Sequence, residues 1–312
     1  MENLVKKYLN YNTGDTKHYH KELEVRFGTK GKFITKDQYD NVLKKLKSVG
    51  FYLTNNEGLH LLRIMNQYDP NIKQLSNIRT EIRNLENIQY YCKHNRIPEK
   101  KDSVIFQKKF NMKENNNPVK PFDNNDFNFR VSFQIEDNIY YNSTIISNLL
   151  EKWEQIPKAY RFMNRIELRH KSLPFICHLS IVKSSKKLRN GTYVYEKNIR
   201  NVDIFNMRET YEIEIELDHD ALTKYSSKIN FDELIGQIKK VIKYILCGLQ
   251  NTNYPVSYNQ LDDAKREYLK LVKNEKDLHR VNPRDFIGPS TVTLQRIHIQ
   301  DITETKEETK YN

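Results

Sequence analysis

Carboxylates recur at every second position in two segments of the chain. One reads His20-Lys21-Glu22-Leu23-Glu24-Val25-Arg26-Phe27, the other Tyr211-Glu212-Ile213-Glu214-Ile215-Glu216-Leu217. In a β-strand, alternate residues point to one face, about 7 Å apart along the chain. Glu22 and Glu24 therefore share a face, as do Glu212, Glu214 and Glu216. Leu23, Val25, Ile213, Ile215 and Leu217 take the other face and read as core. A row of like charges is costly without a cation on it. Either strand alone reads as a solvated face. The two facing each other form an oxygen-rich site for a hard cation such as Mg2+ or Mn2+.

Basic residues fall at strand spacing elsewhere: Arg26; Arg79 and Arg83; Lys108 or Lys109; Arg130; Arg165 and Arg169; Lys183. Cationic and acidic strands in one barrel predict a polar lumen. Arg and Lys would grip a chain of phosphates there, and carboxylates would hold the metal that bridges them. The histidines, His18, His20, His60 and His94 among them, show no metal-ligand spacing and read as surface or packing residues.

The elements that must carry these side chains are mostly strands. Alternation or β-rich composition predicts them at residues 20–27, 51–53, 61–67, 77–83, 104–110, 127–136, 160–173, 175–185, 191–199 and 207–218. Helical stripes predict helices at 2–10, 35–49 (capped by Thr35 and ended by Gly50), 143–153, 230–249 (stopped by Gly248) and 260–272. The 230–249 helix reads as a brace for the barrel. The fold class expected is α+β, mainly antiparallel β, with no internal repeat.

The 312 residues carry 52 Lys and Arg against 40 Asp and Glu, a net charge of +12, which favours a polyanionic partner. Alanine occurs only three times while Asn and Lys abound, so AT-rich coding accounts for some of that excess. The hydrophobic content of 38% is low, but 20 Tyr and 14 Phe can still fill a core. Three distant cysteines, Cys92, Cys177 and Cys247, predict neither a zinc knuckle nor a disulfide framework. No apolar run is long enough for a signal peptide or a membrane span, so the expected setting is reducing and intracellular.

His20–Gly28 together with Tyr211–Leu217 resembles the triphosphate tunnel metalloenzymes, and most closely the RNA triphosphatase modules of mRNA capping enzymes from large DNA viruses (mimivirus, poxviruses, African swine fever virus). Ile78-Arg79-Thr80, Phe106-Gln107-Lys108-Lys109, Phe129-Arg130-Val131-Ser132 with Glu136, and Leu179-Ser180-Ile181-Val182-Lys183 are similar to further strands of that family, in the same order, over roughly residues 15–250. The resemblance implies an eight-stranded antiparallel tunnel, braced by helices, over residues 1–250. It implies Mg2+ or Mn2+ at Glu22, Glu24 and Glu216. Phosphates would be gripped by Arg26, Arg79, Lys109, Arg130, Arg165, Arg169 and Lys183, and water would be handled by Glu214 with Glu136 or Glu212. The implied reaction releases the γ-phosphate of triphosphate-ended RNA, with NTP as a surrogate substrate, as the first step of capping. Guanylyltransferase and methyltransferase modules would be its partners, in the host cytoplasm, a viral factory or the virion; no membrane partner is implied.

Residues 251–312 read as a helical connector and flexible tail. Asn282–Ser290 is similar to the segment leading into the guanylyltransferase domain of those enzymes, whose K-x-D-G motif is absent here. Two positions depart from the family. Glu167 stands amid a basic strand, and Ile176 and His178 replace a basic-x-acidic pair. A hairpin turning at 172–174 would set Glu167 opposite His178, a cross-strand pair of reversed polarity. Other tunnel enzymes, acting on tripolyphosphate, thiamine triphosphate or ATP as cyclases, and a non-catalytic RNA-binding subunit are the alternatives.

Overall fold

The computed structural model describes residues 1–11, 19–29, 33–55, 57–69, 74–99, 101–114, 117–218, 220–222 and 230–273. The Asn282–Ser290 segment and the tail, 303–312, lie outside them.

Residues Met1–Pro255 form one compact unit. Its strands are β1 (Tyr19–Phe27), β2 (Tyr52–Leu53), β3 (Leu59–Asp69), β4 (Gln74–Arg83), β5 (Val104–Asn111), β6 (Lys113–Glu114), β7 (Asn117–Pro118), β8 (Phe122–Asn124), β9 (Phe129–Ile139), β10 (Lys158–His170), β11 (Leu173–Ser184) and β12 (Thr210–Leu217). Its helices are α1 (Glu2–Asn10), α2 (Lys36–Ser48), α3 (Leu85–His94), α4 (Thr144–Glu151) and α5 (Phe231–Gln250). Among the described residues, 256–273 belong to a second unit, with α6 spanning Tyr258–Lys273.

Eight strands run in the order β1-β12-β11-β10-β3-β4-β5-β9, and β9 pairs back onto β1, closing an antiparallel barrel. Closure leaves no edge among them. Alternation then sends one residue set inward and the other outward. The outward set is apolar on two sides. Leu23, Val25, Val131, Leu179, Ile213 and Ile215 pack under α1, α2 and α5. Leu62, Ile64, Ile82 and Phe106 pack with Tyr91 of α3 and Ile146 of α4. The helices are thus braces on the outer wall, and the inner wall is free for chemistry.

Local signals explain the brace ends. The Thr35 hydroxyl accepts from Gln38 N and the Gln38 side chain accepts from Thr35 N, a reciprocal capping box. Asn230 Oδ1 accepts from Glu233 N at 2.8 Å and starts α5. Gly248 does not end α5, contrary to the sequence expectation. The helix continues to Gln250 and ends on Asn251 in a left-handed conformation. Gly248 is where α5 crosses α2, since a Cβ there would meet Val42 Cα at 2.6 Å. The strand expected at 191–199 is instead a loop with two isolated bridges, Lys187 to Tyr193 and Lys158 to Glu196. Lys158 ties it down from beneath: fully buried, its ammonium donates to the carbonyls of Trp153, Ile156 (2.8 Å) and Lys197 (3.3 Å). Helix α3 was not anticipated, because its stripe of Ile88 and Tyr91 is short and polar residues surround it.

Gly248→Ala should force α5 off α2 and destabilise the protein by about 1–3 kcal/mol. Denaturant unfolding of the two proteins checks this, and an unchanged midpoint would show that the crossing has slack.

Candidate functional site

Register puts the two acidic strands side by side. Glu24 lies across from Glu216, and Arg26 from Glu214. On its other side β1 sets Glu24 opposite Ser132, Arg26 opposite Arg130 and His20 opposite Glu136. All of these point inward, because their neighbours Leu23, Val25, Ile213 and Ile215 are in the outer core.

The inner wall compensates itself. Arg26 donates through Nε (3.0 Å) and Nη2 (2.8 Å) to Glu24 Oε1, and its Nη2 lies 2.8 Å from Glu214 Oε1. Arg165 donates to Glu214 Oε2 at 3.1 Å and to Ser180 Oγ at 3.0 Å. Lys109 Nζ touches Glu22 Oε2 and lies 3.4 Å from Glu136 and 3.7 Å from Glu24. Arg79 bonds Gln107 and reaches Glu136 Oε1 at 3.4 Å, while Gln107 donates to Glu136 Oε2 at 2.7 Å.

These contacts sort the carboxylates. Burial disfavours the charge of Glu214, but Arg26 and Arg165 outweigh it and hold Glu214 well below the usual carboxylate range. Glu24 goes the other way, raised by burial and by Glu214 beside it. Burial, with Glu22 and Glu136 nearby, pushes Glu216 up to about 8. The acids thus exceed what the lumen cations neutralise around Glu24 and Glu216.

Other sequence-expected residues fall at the margins. Glu212 is inward, but both its oxygens accept from Arg161 Nη2, at 2.7 and 2.8 Å. Arg130 stands at the barrel end where β1 finishes and β9 begins, forked onto Asp123 of β8 at 2.7 and 3.1 Å. Arg169 is near the opposite end, bonded to Asp218. Lys183 is a correction. It pairs across from Phe162, on the face opposite to the inward Ser180 and Val182, and its ammonium caps Phe205 O at 2.7 Å. Strand parity therefore removes it from the lumen. Parity also decides between the two lysines of β5: Lys109 pairs with Glu136 inside, and Lys108 points out.

Glu167 and His178 are cross-strand partners, as the hairpin arithmetic expected. The buried ring of His178 lies 3.3 Å from Glu167 and 3.6 Å from Glu216, with Arg165 Nη1 3.4 Å from its Nδ1. Burial lowers the pKa of His178 against the pull of Glu167.

Sequence reasoning missed four inward residues. Arg63 of β3 pairs with Glu81 of β4 at 2.8 Å, and Arg83 completes a triad at 2.9 Å. Arg161 and Asp123 are the others. Arg63 was hidden by its setting, Leu-Leu-Arg-Ile-Met, which reads as an apolar strand; its parity with Leu61 and Met65 was the available signal. The lumen is also not uniformly polar. Leu61, Met163 and Val182, all nearly or fully buried, form a dry patch of wall beside Arg161 and Arg165.

No protein-family model matches the chain, and no curated protein does. Among solved structures, the triphosphatase of the mimivirus capping enzyme superposes with a TM-score of 0.46 at 14% identity, covering 77% of this chain and 92% of that one. The S. pombe RNA triphosphatase Pct1 gives 0.37 at 12% identity, covering 80% and 88%. The S. pombe Mediator head module gives 0.30 at 9%. At these values the likenesses carry no weight of their own, and the geometry above must stand alone.

The Arg63–Glu81–Arg83 triad sets a pH dependence. Burial opposes ionisation of Glu81, but Arg63 and Arg83 hold its pKa down to about 2. The stabilisation is complete above the unfolded-state value near ~4.3 and is lost as pH falls toward ~2. Glu81→Gln should cost about 3 kcal/mol at neutral pH and flatten the loss of stability between pH ~4.5 and ~2. Urea unfolding across that range checks it; an acid limb as steep as that of the parent protein would contradict it.

Proposed function

We propose that this barrel is a metal-dependent triphosphatase whose substrate is the 5′-triphosphate end of RNA, acting at the first step of mRNA capping. The observation that carries this is the juxtaposition of the Glu22/Glu24 and Glu214/Glu216 rows across β1 and β12, on an inner wall interleaved with Arg26, Arg165, Lys109 and Arg79. Phosphoryl transfer needs charge neutralisation and in-line positioning more than covalent chemistry, and this wall supplies both signs of charge in a fixed frame.

The residues fit a hard dication. The possible ligands near Glu24 and Glu216 are carboxylate oxygens and His178 Nδ1, the latter 3.6 Å from Glu216, and both glutamates are driven toward protonation by their surroundings. Glu22 Oε2 is buried and touches Lys109, yet accepts no hydrogen bond of proper geometry. Among the described residues, no three His, Cys, Asp or Glu side chains are already gathered as a metal cluster. Glu22, Glu24 and Glu216 are the side chains that would hold Mg2+ or Mn2+. When bound, the ion would neutralise charge on the phosphate oxygens.

The chain's own groups have divided tasks. Arg26, Arg165, Arg79 and Lys109 would bind the β- and γ-phosphates, exchanging carboxylate partners for phosphate oxygens. Glu214, held strongly ionised between two arginines, is a poor proton acceptor and serves to fix those arginines. Glu136, at the junction of Arg79 and Lys109, would orient the attacking water. Water adds to the γ-phosphorus, the bond to the bridging oxygen breaks, and a 5′-diphosphate end, inorganic phosphate and a proton leave. Guanylyltransferase and methyltransferase activities would take over the diphosphate end, in cis or in trans.

Phosphate release from γ-labelled triphosphate-ended RNA, and from ATP, each with Mg2+ or Mn2+, tests the proposal. Glu24→Ala and Glu216→Ala should each lower release by about a thousandfold or more, whereas Lys183→Ala, outside the lumen, should stay within about twofold. Near-parental activity in either glutamate variant would sink it.

A further inference from the structure

The barrel end that carries Arg26 and Arg130 does not open onto bulk solvent alone. A cavity of about 480 Å3 there is lined by Glu24, Arg26 and Arg130, together with Val119 and Pro121. Val119 and Pro121 also line a second cavity, of about 420 Å3, which passes along Phe122 and Lys120. Phe122 in turn lines a third, of about 750 Å3, whose far wall is Phe127, Tyr254 and Lys243. Val119 and Pro121 are common to the first two cavities, and Met1, Asn3 and Phe122 to the second and third, so the three adjoin one another and make a segmented groove from the tunnel end to the outer surface by α1, the β8–β9 turn and α5.

Resting on the triphosphatase function proposed above, we infer that this groove holds the body of a single-stranded polynucleotide whose 5′ end is in the tunnel. Three features point to that occupant. The groove begins at the cavity that reaches Glu24 and adjoins it through Val119 and Pro121, so a chain leaving that end of the tunnel meets it first. Rings and cations line it together: Phe122, Phe127 and Tyr254, the last 82% exposed, with Lys243 in the same cavity as Tyr254 and Lys120 in the one before it. Flat apolar rings accept bases of any sequence by stacking, and lysines follow the backbone. Its acids are already neutralised, Glu2 by Lys239 at 3.1 Å and Glu114 by Lys7. Lys120 and Lys243 have no ion-pair partner among the described residues, so the charge the groove offers a ligand is positive.

Duplex RNA has its bases stacked inward and offers the rings nothing, which makes the groove selective for single strands. A free nucleoside triphosphate ends at the tunnel mouth and gains nothing from the groove.

The test compares the full chain with Lys120→Glu/Lys243→Glu and with Tyr254→Ala. Hydrolysis of a short triphosphate-ended single-stranded RNA is measured against hydrolysis of ATP, and binding of the same RNA with a 5′-hydroxyl end is followed by fluorescence anisotropy across a salt series. Both variants should raise KM for the RNA about tenfold with kcat and all ATP parameters unchanged. The double lysine variant should also reduce the salt slope of binding by about 2. Equal effects on RNA and ATP, or no effect on RNA, would overturn the inference and leave the groove to a polypeptide. If the unaltered protein hydrolyses neither substrate, the tunnel function fails. The groove is then judged by the 5′-hydroxyl RNA alone, whose binding must weaken in both variants.

Discussion

Glu24 and Glu216 lie directly across from one another on adjacent strands, and most of the inner wall answers to that opposition. Like charges in direct cross-strand register are destabilising; Glu24 is buried, and Glu216 keeps about a third of its side chain exposed. Arg26 and Lys109 partly relieve Glu24, Glu214 is claimed by Arg26 and Arg165, and Glu136 by Lys109 and Arg79. Arg26 and Lys109 are thereby each shared between carboxylates on different strands. Replacing one residue of the set redistributes the rest, so effects of paired substitutions here will not add.

Such a wall is possible only because folding energy is collected elsewhere. A barrel of this size usually fills its interior with apolar side chains. Here the apolar burial is moved outside, under α1, α2 and α5 on one side and α3 and α4 on the other. The Gly248–Val42 approach lets α5 and α2 sit close enough to act as one lid over β1, β11 and β12. The strands that carry the acids are thus the ones most firmly backed.

The parts legible in the sequence were those with strict periodicity. β1 and β12 announced both their burial and their charged faces, and α2 and α5 their stripes. Register followed where a tight turn fixed it, as for Glu167 and His178. Parity was harder. Lys183 was placed on the wrong face because its strand, with both faces buried, gives no alternation to anchor it. Arg63 was passed over for the same reason within β3. Arg161 shares parity with Arg165 and Arg169 and was available from spacing, whereas Asp123 is defined only by its partner Arg130 on the neighbouring strand. Sequence shows which residues share a face; it does not show which of them are already paired.

That last distinction bears on how the tunnel would take up a polyanion. A polyanion carries condensed counterions, and binding to mobile protein cations gains from releasing them into solution. Arg26, Arg165, Lys109 and Arg79 have their counterions covalently tethered, as Glu24, Glu214, Glu22 and Glu136. Exchange of carboxylate for phosphate inside the barrel would free ions from the polyanion alone and none from the protein, and the displaced carboxylates would stay beside it as fixed negative charge. On the proposed reading the lumen is an ion exchanger of fixed composition, whose own charges can change partners but cannot leave.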